Sequence, residues 1–166
     1  MNTIDTSTLV TQLTADDAST RLAAAIELGI RHEPGTAPAI VARLGAEQDF
    51  HVRENLTWAA VQLIDTALPD VLALLRDPNP LARRQAAHVL SKVGDPAVAE
   101  HLHEVIADAD PQVAVKAFRA AANTGNPLVV APLIARLSHG DDEQRDALTL
   151  ALARLGEVAV PALVDA

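Results

Sequence analysis

Three features of the 166 residues predict an all-α chain. The expected fold is an α-solenoid (alpha-alpha superhelix) of about five stacked helical hairpins, with a helix capping the N-terminal end. One spacing of about 31 residues recurs in several residue types. Turn-forming residues cut each period into two helix-length segments. Inside each segment the apolar positions recur at helical intervals.

The spacing is read directly. Leu44, Leu75, Ile106 and Leu137 lie 31 apart, as do Gly94, Gly125 and Gly156, and Pro38 and Pro69. Arg21, Arg53, Arg83, Ala114 and Arg145 step by 32, 30, 31 and 31. The third period shows the internal grammar best. Asp77-Pro-Asn-Pro80 cannot lie inside a helix, because its prolines remove donors and fix φ. Asn79-Pro80 instead predicts an N-cap followed by the first helical residue. Leu81, Gln85/Ala86, Val89/Leu90 and Val93 then follow helical spacing, and Gly94 predicts a left-handed stop. Asp95-Pro96 starts the second helix, and Asp110-Pro111 and Asn126-Pro127 repeat the device.

This places first helices over about 17–31, 49–63, 80–93, 111–124 and 141–155. Second helices fall near 35–45, 66–76, 95–107, 127–138 and 158–165. A lone helix over 7–13, with Leu9, Val10 and Leu13 facing inward, covers the first hairpin. The expected organisation is one domain: a capping segment over 1–15 and repeats over about 16–46, 47–76, 77–107, 108–138 and 139–166. One hairpin cannot bury its own apolar stripe, so neighbours must stack. Alanines at one place in the period (Ala23 to Ala25, Ala59, Ala60, Ala86, Ala87, Ala120 to Ala122) predict the close-approach seam.

Composition limits the function classes. Hydrophobic residues make up 49%, yet aromatics only 2%, namely Phe50, Trp58 and Phe118. The core must therefore be aliphatic. With 22 acidic residues against 13 Lys plus Arg, the formal charge is −9, which repels phosphate backbones and anionic membranes. Neither a nucleic acid nor a membrane is expected as partner. Cysteine is absent, which excludes disulfides, thiolate chemistry and Cys-based zinc sites. The opening Met1-Asn-Thr-Ile-Asp-Thr-Ser-Thr-Leu-Val10 lacks a basic region and an apolar region, and no apolar run reaches membrane-spanning length. A cytoplasmic protein is the expectation.

The stretch from Asp77 through Arg83, Arg84 and His88 to Gly94-Asp-Pro96 resembles the HEAT-like repeat of phycobilisome bilin lyases. Residues 108–125 are similar to it again; 141–156 and 47–64 match less closely, and 19–32 diverge most. The resemblance implies a superhelix of the armadillo-like kind. It also implies one of three roles: protein-interaction scaffold, bilin-lyase-type enzyme or subunit acting on a tetrapyrrole-carrying partner, or, remotely, alkylpurine DNA glycosylase. The last relies on a basic, aromatic-lined groove, from which this acidic, ring-poor chain departs. Only the repeat carries over from the lyases, not any lyase-specific residue.

Two surfaces are candidates for binding. On the first helices, Val52, Leu56, Ala59 and Leu63 define a buried stripe with Trp58 opposite, and Ile26, His88, Arg119 and Leu150 occupy equivalent positions. Trp58 is either an exposed interface anchor or part of a wide apolar stripe. On the second helices, Ile40/Leu44, Val71/Leu75, Leu102/Ile106 and Leu133/Leu137 read as buried. Asp70, His101 and Glu104 point away from these, and Arg43 and Arg136 sit at the border. That face is either a partner-binding side or simply solvated.

The remaining polar residues read as structural. His101 and His103 diverge by about 200° on a helix and cannot share an ion; a composite site would need histidines from different repeats, such as His88 and His51. Asp141-Asp142-Glu143 sits where a helix starts and reads as capping. Arg53, Arg83 and Arg145 read as a ladder paired with linker acids such as Asp49 and Asp77, phosphate binding being the alternative. Gly-x-Ser-x-Gly, a phosphate-cradling loop and a supported Ser/His/Asp order are all missing. No catalytic residue, cofactor or metal is expected. The leading expectation is a non-catalytic scaffold or adaptor for a protein or peptide. It is expected to be a monomer, or a weak homodimer through a last repeat that stops short of its next anchor.

Overall fold

The computed structural model describes residues 4–165; residues 1–3 of the expected capping segment, and 166, lie outside them. Every regular element among the described residues is a helix, and the fold is of the α-solenoid class. The chain divides into two compact units, one ending at Leu74 and the other beginning at Leu75.

The first unit contains α1 (Thr6–Gln12), α2 (Ala18–Arg31), α3 (Ala37–Ala46), α4 (Phe50–Gln62) and α5 (Ile64–Leu74). Leu9 and Leu13 bury α1 against α2, α2 lies along α4, and α3 packs on α4 and α5. The second unit contains α6 (Pro80–Val93), α7 (His103–Ile106), α8 (Pro111–Thr124), α9 (Val130–Ile134), α10 (Asp142–Leu155) and α11 (Val160–Val164). Here α8 is central, flanked by α6 and α10, with α7 against α8 and α9, and α11 against α9. First helix therefore neighbours first helix, and the core between them is aliphatic. Ala24, Ala25, Ala59, Ala60, Ala86, Ala87 and Ala120 to Ala122 are all buried, while Ala23 is exposed. Small side chains let the backbones approach, and Phe118 is the one ring fully inside.

The five first helices keep the expected boundaries to within a residue because their caps are explicit. The side chains of Asp17, Asp49, Asn79, Asp110 and Asp141 each accept a backbone N–H of the turn that follows. Asp141 completes a capping box with Gln144, which accounts for the acids at that helix start. At the other end Gly94 and Gly125 are left-handed, with φ 64° and 61°. A Cβ on Gly94 would also sit 3.1 Å from the Asn123 carbonyl oxygen, so glycine is favoured there on two counts. His32 takes the same conformation in the first hairpin, at φ 52°.

The second helices depart further. The second hairpin has no such stop: Leu63 alone separates α4 from α5, so α5 starts at Ile64 and Pro69 falls inside it. In the third, a 3₁₀ helix over Pro96–Leu102 replaces most of the expected 95–107 α-helix. Within it a three-residue turn lines up Ala99 and Leu102, both buried, on one edge. The fourth shortens to Pro127–Val129 in 3₁₀ form plus α9, and the fifth to Gly156–Val158 plus α11. Because α9 ends at Ile134, Leu137 lies outside the helix and is 43% exposed, not buried as its place in the leucine series implies.

The arginine series forms a ladder, but with other partners than Asp49 and Asp77. Each guanidinium turns back to its own linker. Arg21 Nη1 donates to the carbonyls of Ala15 and Asp16, Arg53 Nη1 to those of Glu47 and Gln48, Arg83 Nη1 to those of Asp77 and Pro78, and Arg145 Nη1 to that of Gly140. Asp49 and Asp77 are otherwise occupied: Asp49 caps α4, and Asp77 accepts the Asn79 N–H. In two of the four the free edge of the guanidinium reaches the acid of the next linker, whereas that of Arg145 pairs with Asp142 of its own helix. Arg21 Nε and Nη2 lie 2.8 and 3.0 Å from Glu47, and Arg83 Nε and Nη2 lie 2.7 and 2.9 Å from Asp108.

Glu47 is wholly enclosed. Its second cation is Arg43, whose Nε and Nη2 donate to Oε2 at 2.8 and 2.7 Å, and the Asp49 N–H donates to Oε1 at 2.8 Å. Burial alone would raise the Glu47 pKa, but the hydrogen bonds from Arg21, Asp49 and Arg43 outweigh it and bring it from 4.5 down to about 2. Asp108 is lowered in the same way: burial opposes, while Arg83 and the Asp110 N–H prevail.

Trp58 is partly exposed and partly packed. It is 40% exposed, yet one edge of the indole lies on Gly29 of α2. A Cβ on Gly29 would stand 2.3 and 2.8 Å from two ring carbons. The glycine is therefore a seat for the ring.

Two predictions follow from this packing. Glu47→Gln leaves two cations facing a neutral amide and should cost about 3 kcal/mol at neutral pH. Since the folded-state pKa is depressed, that gap should persist down to pH 4.5 and close as pH falls from there toward 2. Urea unfolding of both proteins across that range is the check, and a gap independent of pH contradicts it. Gly29→Ala should lift the indole from its seat, costing about 1–3 kcal/mol. Emission of the single tryptophan should move to longer wavelength, and an unchanged spectrum contradicts the seat.

Candidate interaction surfaces

The surface of the first unit is built from α2 and α4. Ile26 and Ile30, one turn apart on α2, are exposed, and Ile26 shares a helix face with the Gly29 seat of Trp58. Together they place three large apolar side chains on the first-helix side. Phe50, at the start of α4, is also exposed and meets His51 edge-on, with ring centroids 5.5 Å apart.

His88 does not continue this surface in the second unit. It is only 7% exposed, because α6 buries nearly its whole circumference from Gln85 to Ser91. The inference of exposure from Trp58's position in the period fails for that helix. Arg119 and Leu150, at the same position on α8 and α10, are exposed, Leu150 by 71%.

The second-helix candidates do not form one set. Arg43 is an internal fastener of Glu47 and not a border residue awaiting a partner. Glu104 is exposed and pairs with Arg76 at 3.1 Å, His101 is exposed, and Asp70 is half-buried. Arg136 is half-buried, and its Nε is enclosed without an acceptor among the described residues. No group of three His, Cys, Asp or Glu that could hold a metal occurs among the described residues, and no helix among them is long and apolar enough to cross a membrane.

One concavity was not foreseen. A cleft of about 510 Å³ opens between α8 and α10, lined by Val115, Lys116, Arg119, Ala122, Asn123, Ala147, Leu150, Ala151 and Arg154. On α10 these residues fall at i, i+3, i+4 and i+7, a single helix face. On α8 they fall one turn apart, from Val115/Lys116 through Arg119 to Ala122/Asn123. A signal was present in the sequence: α6 and α8 contain no Asp or Glu, and α10 contains none after Asp146. The acids of this unit sit elsewhere, in linkers, second helices and the first five residues of α10.

A protein-family model described as HEAT repeats matches residues 52–113 and 99–166. No curated protein gives a significant match to the sequence. Among solved structures, the complex of CpcE and CpcF of phycocyanin lyase from Nostoc sp. PCC7120 is similar at 22% identity and a TM-score of 0.64, over 99% of this chain and 71% of that one. An engineered protein is similar at 22% identity and a TM-score of 0.62, over 98% and 87%. A designed armadillo repeat protein in complex with the peptide (KR)4 is similar at 19% identity and a TM-score of 0.57, over 98% and 91%. At these identities the structural likeness concerns the fold. The family model, which spans well over half of the sequence, establishes that the chain belongs to the HEAT-repeat family.

Proposed function

We propose that the chain is a non-catalytic scaffold or adaptor that binds a protein or peptide on its first-helix side. The observation that carries this reading is Trp58, a large side chain held half out of the core on a glycine, with Ile26 and Ile30 exposed on the helix that carries that glycine. A fixed, half-exposed indole among aliphatic neighbours has the character of an interface anchor, since little entropy remains to be lost when a partner covers it. The HEAT-repeat membership and a designed repeat neighbour that holds a peptide support the same reading. Arg119, and on the second-helix side Asp70, His101, Glu104 and Arg136, stay candidate contacts. The phycocyanin-lyase neighbour supports a second reading, a subunit acting on a tetrapyrrole-carrying partner.

The test is recovery of partners by the tagged chain from its own cells, followed by affinity measurement. Trp58→Ala should weaken the recovered partner by about 2 kcal/mol or more with helicity unchanged. Charge reversal at Asp70 and Glu104 measures any share of the second-helix side. If neither substitution changes binding, the assignment of both surfaces is wrong. Titration with a bilin separates the second reading: a shifted absorbance band with quenching of Trp58 supports it, and no shift removes it.

A further inference from the structure

We propose that the cleft between α8 and α10 is a separate recognition site for an acidic peptide segment in which Asp or Glu flank an apolar side chain. The chain carries a formal charge of −9, yet the cleft is lined by Lys116, Arg119 and Arg154 and by no carboxylate. Of the 13 Lys and Arg residues, only Arg21, Arg31, Arg43 and Arg53 precede Leu75, so most of the positive charge lies in the unit that holds the cleft. Arg119 and Arg154 are exposed, and neither forms an ion pair among the described residues. They contrast with Arg21 and Arg83, whose guanidinia are consumed by the linkers.

The apolar part of the lining decides the class of partner. Ala122 and Ala151 in the lining are buried, while Leu150 stands 71% exposed on α10, one turn before Arg154. Covering such a leucine removes apolar surface from water, which rewards an apolar side chain on the partner. Each guanidinium is suited to a carboxylate fork, and pairs that form at the rim of a desolvated contact gain in strength. A nucleic acid fits less well. No aromatic ring lines the cleft on which a base could stack, and a long polyanion would also meet the repulsion of the whole acidic surface. A short peptide meets only the local field. The cleft shares Arg119 with the candidate contacts of the proposed function but contains neither Trp58 nor Ile26 nor Ile30, so failure at Trp58 and failure at the cleft are distinguishable.

The experiment uses the full chain and a fluorescently labelled hexapeptide of alternating Glu and Leu, read by anisotropy. Saturable binding that weakens with added salt is expected. The double variant Arg119→Glu/Arg154→Glu should lose at least about tenfold in affinity, as should the peptide with Gln in place of Glu. Both arginines are exposed, so helicity should not change, and Trp58→Ala should leave the peptide's affinity as it is. The proposal is overturned if the acidic peptide does not bind. Retention of wild-type affinity by the double variant, or equal binding of the Gln peptide, overturns it as well. Tighter binding of an oligothymidylate of matched charge would make the cleft a phosphate site instead.

Discussion

The arginine four residues after the first-helix N-cap, present in every hairpin but the fourth, where Ala114 stands, is the interaction on which the rest depends. Its Nη1 satisfies carbonyls of its own linker, where no helix supplies donors, and in Arg21 and Arg83 its other edge grips the acid of the following linker. A linker between helices is the place where backbone groups most need outside partners. A single side chain thus closes one linker and fastens it to the next. Glu47 shows the arrangement at its most demanding, a carboxylate fully enclosed between Arg21 and Arg43. A buried pair of this kind adds little net stability over an apolar substitute, but it defines register, because only one placement of the two linkers satisfies all its groups.

With the linkers fastened at one end, the helices can pack on small residues alone. Buried alanines bring α2 near α4, and α6 and α10 near α8. Close approach has a second consequence. Side chains beside the seam cannot be accommodated inward, and they emerge on the first-helix side as Trp58 on its glycine seat in one unit and as Leu150 beside Arg119 in the other. The exposed binding candidates are products of the same geometry that forms the core.

The first helices were legible in the sequence because their ends are written in residues with one structural meaning. Asn79-Pro80, Asp110-Pro111 and Gly94 each admit few conformations, and the boundaries follow. The second helices were less legible. Nothing local distinguishes the α-helix expected over 95–107 from the 3₁₀ turn that the alignment of Ala99 and Leu102 favours. Surface assignments failed where a helix is surrounded. His88 holds the same place in the period as Trp58 but is enclosed, since exposure depends on what neighbours each helix and not on phase alone. Glu47 and the α8–α10 cleft escaped notice for a related reason. A buried acid and an unpaired arginine look alike in sequence, and only the partners in space separate Arg43 from Arg119.

The clasp itself is best measured by a double-mutant cycle on Arg83 and Asp108, whose bidentate contact lies within one compact unit. Unfolding free energies of Arg83→Ala, Asp108→Ala and the double variant should show a coupling of about 1–3 kcal/mol. Additivity within about 0.5 kcal/mol would mean that the two residues do not hold the linkers together, and that packing alone sets the register of the hairpins.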